Sequence, residues 1–358
     1  MTLSRLSLAQ FRSWPRLDLE LDDRPVAIFG PNGSGKTNIL EAVSMLAPGR
    51  GLRGAAAPEQ ALKGKDAGWR IAATLGDHAV RTQAPPDQTR SVTLDDKSVP
   101  QTALARLVRV IWLVPAMDRL WTESPEGRRR FLDRVTLSLM PDHADLALAY
   151  DKAMRERNRL LRDQVSDPGW YRALETQMAE AGAALTHNRQ SAIAAILQAQ
   201  GASDAFPAAM LTLLPGEGHA DDADAASIAA RMAAMRPRDL AAGRSLTGPH
   251  RADLGATWGP QDMPAALSST GEQKALLLSL IMANARALSD QPVLLLLDEV
   301  AAHLDGDRRA ALYDLIRTLP AQSLLTGTGP ELFADFGDSA RHLSVEKQAG
   351  RSEVTPLS

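Results

Sequence analysis

Residues 30–37 read Gly-Pro-Asn-Gly-Ser-Gly-Lys-Thr, and this stretch is the strongest indication of the fold in the sequence. It satisfies the pattern G-x-x-x-x-G-K-[ST] and stands between a continuous apolar run, Pro25 to Phe29, and a helical pattern from Lys36 to Leu46. A strand, a glycine-rich loop and a helix in this order form a unit whose backbone N–H groups surround phosphate oxygens. The sequence therefore predicts a phosphate-binding loop in an α/β domain.

The candidate nucleotide-binding residues are the loop and the start of its helix. They are Gly30, Pro31, Asn32, Gly33, Ser34, Gly35, Lys36, Thr37 and Asn38. We expect Lys36 to reach the β- and γ-phosphates of ATP and Thr37 to ligate Mg²⁺. The alternative is a glycine-rich turn with an exposed lysine.

A second candidate stretch places two carboxylates after an apolar strand. Val293 to Leu297 is a run of aliphatic residues, and Asp298 and Glu299 follow it directly. Ligands of open α/β sheets bind at the carboxyl ends of strands. We expect Asp298 to hold Mg²⁺ through water and Glu299 to orient or deprotonate the attacking water, so that Lys36, Asp298 and Glu299 are the catalytic candidates. The alternative is a core strand that ends in an acidic turn.

A third stretch distinguishes this chain from most proteins with such a loop. Ser269, Thr270, Gly271 and Glu272 precede an apolar helix and resemble the signature of ATP-binding-cassette ATPases. A helix N-terminus with small residues approaches a γ-phosphate closely, and in that superfamily the signature meets the nucleotide held by the other subunit. Asp305 falls where the superfamily has its D-loop. Without this context, Ser269 to Glu272 is simply a helix cap.

Composition limits the function classes. The 358 residues are 44% hydrophobic and 23% charged, contain no cysteine, and carry a formal net charge of −3. These values exclude disulfides, thiolate metal sites and thiol nucleophiles, and they require any DNA site to be a local patch. The N-terminus lacks a signal-peptide pattern, and no apolar run approaches the ~18 residues of a membrane span. We expect a cytoplasmic protein with no membrane partner.

The order of the patterns predicts an interrupted head domain. Alternating runs open the chain as an antiparallel pair, and Trp69 to Val99 contains hairpin signals. From Ser124 to about Gln200 the pattern is helical, and residues 202–242 read as short helices and loops. Strand and helix signals then return from Leu246. The predicted domains are a head, 1–117 with 246–358, and an inserted α-helical arm, 118–245.

Further stretches resemble the RecF recombination-mediator family and follow its order along the chain. They are Phe11 to Trp14, Asn38 to Ala42, Gly49 to Arg53, Ser124-Pro125, Arg128 to Asp133, Tyr150, Arg157 to Leu161 and Leu246 to Leu254. The resemblance implies an α/β head like those of ATP-binding-cassette, Rad50 and SMC proteins. It also implies an ATP-dependent DNA-binding protein that forms a homodimer on ATP, hydrolyses ATP weakly with stimulation by DNA, and helps RecO and RecR load RecA at single-strand gaps or single-strand/double-strand junctions. DNA repair, replication and the SOS response to DNA damage would be its setting.

Two other functions remain open on the sequence alone. One is a transporter ATPase subunit, which the helical insertion disfavours, as does Thr326-Gly327-Thr328 at the position where transporters carry a switch histidine. The other is a nucleotide-switched DNA-binding module with negligible turnover. No glutamine of the lobe-coupling Q-loop is assigned, although Leu113 to Arg119 occupies its place.

Two arginine clusters are the candidates for DNA binding. The first is Arg128, Arg129 and Arg130, and the second is Arg155, Arg159 and Arg162, spaced i, i+4, i+7 on one helix face. The first cluster has a structural alternative at a lobe interface. The second has one as a solvated helix face.

Overall fold

The computed structural model describes residues 1–64, 67–201, 206–216, 224–259, 262–348 and 351–357. The strands are β1 (Leu3–Phe11), β2 (Trp14–Glu20), β3 (Val26–Phe29), β4 (Trp69–Leu75), β5 (His78–Ala84), β6 (Ser91–Leu94), β7 (Lys97–Val99), β8 (Arg109–Leu113), β9 (Ala209–Leu214), β10 (Asp253–Trp258), β11 (Met263–Pro264), β12 (Val293–Leu297), β13 (Ala321–Gly327), β14 (Arg341–Gln348) and β15 (Arg351–Leu357). The helices are α1 (Lys36–Ser44), α2 (Leu104–Leu107), α3 (Pro125–Leu139), α4 (His143–Arg162), α5 (Pro168–Ala199), α6 (Ala225–Ala242), α7 (Thr270–Ala287) and α8 (Gly306–Thr318).

The chain divides into two compact units. One comprises Met1–Asp118, Phe206 and Ile281–Ser358, and the other comprises Arg119–Ala202 and Pro207–Leu280. Residues 246–280, which the sequence assigned to the head, group with the second unit because β10 pairs along its whole length with β9. The domain bounds 1–117 with 246–358 and 118–245 stay a prediction.

The first unit contains an antiparallel sheet in the order β2-β1-β4-β5-β6-β7. Alternation explains it: Leu6 and Leu8 of β1 are buried, whereas Arg5 is exposed. The opening antiparallel pair and the hairpins within Trp69 to Val99 are confirmed by the pairing of these strands.

The second sheet of the first unit has the order β15-β14-β3-β13-β12-β8. Neighbours from β14 to β8 are parallel, and only β15 is antiparallel to its neighbour. Continuous aliphatic strands such as β12 suit this position because both faces are covered. Since β3, β12 and β13 run in the same direction, the residues that follow them meet at one edge of the sheet.

The second unit contains the long helices α4, α5 and α6, whose core includes Tyr150, Met178 and Met232. It also holds a three-stranded sheet in the order β11-β10-β9. The expectation of only short helices and loops over 202–242 was wrong in its described part. Ala209, Leu211 and Leu213 of β9 are buried and alternate with exposed neighbours, and 225–242 forms α6.

The region after Leu246 also differs from its expected strand. Gly248 has φ 135°, a backbone conformation that favours glycine, and Pro249–Arg251 form a 3₁₀ turn before β10 begins.

Among the described residues, no helix combines the length and the apolar character needed to cross a lipid bilayer.

Candidate nucleotide-binding site

The glycine-rich loop connects β3 to α1 in the conformation that its sequence requires. Gly30, Gly33 and Gly35 all have positive φ. A Cβ on Gly30 would lie 2.0 Å from the carbonyl oxygen of Val345, and one on Gly35 would lie 2.5 Å from the hydroxyl oxygen of Ser352. Only glycine lets the loop pack this closely against the C-terminal strands.

The residues between the glycines differ in exposure. Pro31, Asn32 and Gly33 are exposed, whereas Ser34 and Gly35 are buried. The Ser34 hydroxyl is buried and has no hydrogen-bond partner within the described part of the chain. Pro31, Asn32 and Gly33 therefore form the exposed tip of the loop, and Ser34 and Gly35 form its buried base.

Lys36 begins α1 and is 3% exposed. Its Nζ donates to the carbonyl oxygens of Gly30, at 2.7 Å, and Pro31, at 3.1 Å. An ammonium group has three N–H donors, so one remains for a ligand. Burial lowers the pKa of Lys36, while the charges of Glu299 and Asp298 oppose that shift. A phosphate would favour the charged form further.

Asp298 is the centre of a hydroxyl cluster at the edge of the parallel sheet. Thr37 Oγ1 donates to its Oδ1 at 2.8 Å, and Thr326 Oγ1 donates to the same oxygen at 2.7 Å. The Asp298 backbone N–H donates to Leu113 O, which anchors the end of β12 against β8. The loop, β12 and β13 thus meet at one carboxylate.

Thr326 was not identified from the sequence as a site residue. Its hydroxyl also accepts a hydrogen bond from the backbone N–H of Glu299 at 2.9 Å. Two signals were available: Thr326 stands where transporters carry a switch histidine, and it lies at the carboxyl end of β13, beside β12 in a parallel sheet. The side chain therefore positions both predicted carboxylate residues.

Glu299 has φ 54°, a left-handed conformation that is uncommon outside glycine. Such strain persists where surrounding contacts enforce it and clusters at functional sites. The carboxylate forms no hydrogen bond or ion pair within the described ranges, although its charge acts on Lys36. It is half-buried and available to a ligand or to water.

These groups fit Mg²⁺ bound with a nucleotide. Mg²⁺ prefers hard oxygen ligands and keeps several waters. Thr37 Oγ1 and Asp298 Oδ1 supply a hydroxyl and a carboxylate oxygen 2.8 Å apart, beside a loop suited to phosphate. These two residues are the ones that would hold the ion.

The signature residues are arranged by local contacts in the second unit. Ser269 N donates to Glu272 Oε2 at 2.7 Å, and Glu272 N donates to Ser269 Oγ at 3.3 Å. This reciprocal pair is a capping box at the start of α7, and Thr270 and Gly271 within it are exposed. Because the cap leaves Thr270 and Gly271 exposed, it does not prevent the start of α7 from approaching a ligand.

Asp305, predicted to form the D-loop, is the N-cap of α8. Its Oδ1 accepts a hydrogen bond from Arg308 N at 2.8 Å. Its side chain is 62% exposed. The cap satisfies one free N–H of the helix and leaves the carboxylate accessible.

The first arginine cluster is divided by the structure. Arg128 pairs with both carboxylate oxygens of Asp253, at 2.8 and 2.7 Å, and Arg129 donates to Ala252 O at 2.7 Å. Arg130 is 72% exposed and pairs with Glu126 one turn away. Two of the three therefore tie α3 to the start of β10, and Arg130 faces solvent.

The second cluster lies on an exposed face of α4. Arg155, Arg159 and Arg162 are exposed, and Arg159 forms a 3.7 Å ion pair with Asp163. Arg157, on the opposite side of the same helix, is fully buried and ion-paired with Glu175 and Asp239. Helical spacing correctly separates the exposed arginines from the buried one.

Comparison with known proteins gives the class first. The family model described as RecF/RecN/SMC N terminal domain matches residues 2–351. The fold is that of an ABC-type ATPase head, of the kind found in SMC proteins, with a helical arm inserted.

Two relatives and one solved structure narrow the family. "DNA replication and repair protein RecF" of Mesorhizobium japonicum is 41% identical over 96% of each chain. The protein of that name from Caulobacter vibrioides is 46% identical over 99% of this chain and 98% of its own. A solved structure of "the recombination mediator protein RecF-ATPrS in RecFOR pathway" superimposes with a TM-score of 0.83 at 19% identity, covering 100% of this chain and 98% of that one. The chain belongs to the RecF family.

Proposed function

We propose that this protein is an ATP-dependent DNA-binding protein of recombinational repair. It dimerises on ATP, hydrolyses ATP weakly with stimulation by DNA, and helps RecO and RecR load RecA at single-strand gaps or junctions in the cytoplasm. Membership in the RecF family supports this function over a transporter subunit. The observation that carries the ATPase assignment is the meeting of Thr37, Asp298 and Thr326 at one carboxylate oxygen beside the glycine-rich loop.

The proposed mechanism assigns each residue a task. The N–H groups of the loop and Lys36 bind the phosphates, and burial of Lys36 strengthens its attraction to them. Thr37 and Asp298 hold Mg²⁺, which neutralises phosphate charge when bound. Glu299, with no competing hydrogen bond in the described part of the chain, orients or deprotonates the attacking water.

We propose that two such chains complete each other's sites. Ser269, Thr270, Gly271 and Glu272 present the N-terminus of α7, and in a C₂ dimer this end would meet the γ-phosphate held by the partner's loop. ATP then favours the closed dimer because its γ-phosphate engages both helix N-termini, whereas ADP lacks that group.

We assign DNA contact to the exposed arginines, and above all to Arg155, Arg159 and Arg162. These side chains lie on one face of α4 and are accessible to phosphates. Arg130 is a further exposed candidate. Arg128 and Arg129 rank below them because their guanidinium groups already have internal partners.

The test is DNA binding to a gapped duplex in ATP, ADP and no nucleotide. The account predicts tighter binding with ATP, and equal affinity in all three states would contradict it. The double variant Arg155→Ala/Arg159→Ala should weaken binding to all sequences alike and reduce the slope of log affinity against log salt by roughly two. The control is Arg16→Ala/Arg317→Ala, two exposed arginines of the first unit, which should leave that slope unchanged.

A further inference from the structure

The base of the glycine-rich loop is held by side chains from two distant parts of the chain. Ser352 Oγ of β15 donates to Ser34 O at 2.5 Å, and Trp14 Nε1 donates to Gly35 O at 3.3 Å. Both side chains are buried, at 5% and 1% exposure. The pattern G-x-x-x-x-G-K-[ST] of residues 30–37 includes neither Ser352 nor Trp14.

A second hydroxyl extends this arrangement. Ser13 Oγ lies 2.8 Å from Ser352 Oγ and accepts a hydrogen bond from Asn38 Nδ2 at 2.8 Å. The Asn38 amide oxygen accepts in turn from Arg53 Nη1 at 2.8 Å. Since a hydroxyl has a single proton and Ser34 O can only accept, Ser352 donates to the loop and accepts from Ser13.

These contacts fix the direction of the phosphate-binding donors. The carbonyl of Ser34 shares a planar trans peptide with the N–H of Gly35, and the carbonyl of Gly35 shares one with the N–H of Lys36. In a trans peptide the C=O and N–H bonds point in opposite directions. Both carbonyls are held on the Ser13–Trp14 and Ser352 side, where Gly35 O also accepts from the Asn38 backbone N–H at 3.1 Å, so both N–H groups point away from that side.

We propose that Ser352, together with Ser13 and Trp14, is a positioning residue that orients the Gly35 and Lys36 N–H groups for the phosphates of ATP. This inference rests on the proposed ATP site. The residues do not touch the nucleotide in this role. They reduce the conformational freedom that the loop would otherwise lose on binding, and preorganisation of this kind is gained as affinity.

The test compares Ser352→Ala with Ser323→Ala for MgATP binding by titration calorimetry. Ser323 is the matched control because it is also a buried serine of the first unit, and its hydroxyl has no partner in the described ranges. Loss of one hydrogen bond predicts about a three- to tenfold weaker affinity for Ser352→Ala, with an unchanged kcat at saturating ATP. Ser323→Ala should match the unmutated protein.

Further variants keep the proposal falsifiable. Ser13→Ala and the double variant Ser13→Ala/Ser352→Ala form a cycle, and the double variant should lose less than the product of the two single losses because the hydroxyls act as one unit. Trp14→Phe should also weaken ATP binding. If Ser352→Ala does not fold, Ser13→Ala and Trp14→Phe decide the question.

The outcomes separate this inference from the proposed function. If the unmutated protein binds no MgATP, the proposed ATP site itself is wrong. If the unmutated protein binds MgATP and the Ser352→Ala, Ser13→Ala and Trp14→Phe variants bind it equally well, the positioning role is overturned. A fall in kcat at an unchanged KM would also overturn it.

Discussion

The two units use a buried cation in opposite ways. In the second unit, the five N–H donors of Arg157 make five hydrogen bonds, to Glu175 (two), Asp239, Ser245 and Met232 O. In the first unit, Lys36 is also buried but contacts only two carbonyl oxygens and has no ion pair within the described residues. A saturated buried cation holds a fold together, whereas one with a donor to spare is available to an anion.

Among the variants considered, replacement of Arg157 should lower stability the most. Arg157→Met would leave the carboxylates of Glu175 and Asp239 buried without Arg157, which typically costs about 3–5 kcal/mol of stability. We expect a corresponding loss of the free energy of unfolding in urea. Arg155→Met on the exposed face of α4 is the control and should change stability by less than about 0.5 kcal/mol. Equal stability of the two variants would contradict a structural role for Arg157.

For Lys36, we expect replacement to lower the affinity for ATP and to leave the stability of the fold unchanged. Lys36→Ala should weaken ATP binding by about 10- to 100-fold, since a charged hydrogen-bond partner contributes about 1.5–3 kcal/mol and 1.4 kcal/mol is tenfold. The nucleotide-free protein should keep its stability. Lys97→Ala, an exposed lysine of β7, should bind ATP normally. Unchanged ATP affinity in folded Lys36→Ala would remove the phosphate-site assignment.

The network around Arg157 continues to His250, whose protonation makes stability depend on pH. Burial lowers the pKa of His250 to about 4. Its Nε2 lies 3.2 Å from Ser245 O, a pure acceptor, so Nε2 carries the proton and Nδ1 accepts from the Tyr150 hydroxyl at 2.7 Å. The folded state therefore holds the neutral ring.

This depressed pKa gives a stability that depends on pH. Between pH 6.5 and about 4 the unfolded chain binds a proton that the folded one does not, so stability falls as pH falls through this window. Between pH 7.5 and 5, His250 should account for about 2 kcal/mol of lost unfolding free energy. His250→Gln should remove that portion, and His187→Gln, an exposed histidine, should not. The same pH dependence in both variants would show that His250 is not its source.

Much of the fold was predictable because its signals are local. The apolar strand and glycine loop predicted β3, the loop and α1, and Val293 to Leu297 was predicted with the bounds that β12 has. Pro125 after Ser124 correctly predicted the start of α3. Strand β9 was missed because Met210 and Leu214 on its exposed face are apolar, so its sequence does not alternate between apolar and polar residues, and the stretch around it is rich in Ala, Gly and Asp.

The site was predictable only in part. Lys36, Thr37 and Asp298 follow from motifs, and the structure brings Thr37 and Asp298 within 2.8 Å. Ser352 belongs to no motif, and Thr326 departs from the histidine that transporters carry at its position. Their roles depend on which strands lie side by side in the sheet and on how β15 meets the loop. Arg128 and Arg129 looked like a basic patch because their partners, Asp253 and Ala252, lie more than a hundred residues away.

The signature residues are held by local contacts, whereas the residues of the phosphate site are held by long-range ones. A change in the signature should therefore have the smallest effect on stability. Ser269→Ala removes the side-chain half of a capping box and should cost about 1 kcal/mol of stability. ATP binding by the monomer should not change. Ser166→Ala, an exposed loop serine of the same unit, is the control and should cost less than half as much. A weakened ATP affinity of monomeric Ser269→Ala would contradict the assignment of the signature to a partner's nucleotide.

The claim that ATP closes a dimer with shared sites is tested by sedimentation velocity of Glu299→Gln with ATP, ADP and no nucleotide. Glutamine keeps the size of the side chain but removes the charge that would activate water, so bound ATP should persist. The account predicts a dimer with ATP and a monomer in the other two conditions. It also predicts that adding Ser269→Arg to the same chain abolishes the ATP-dependent dimer without preventing ATP binding. A Glu299→Gln protein that binds ATP and remains a monomer, or a dimer unaffected by Ser269→Arg, would contradict the claim.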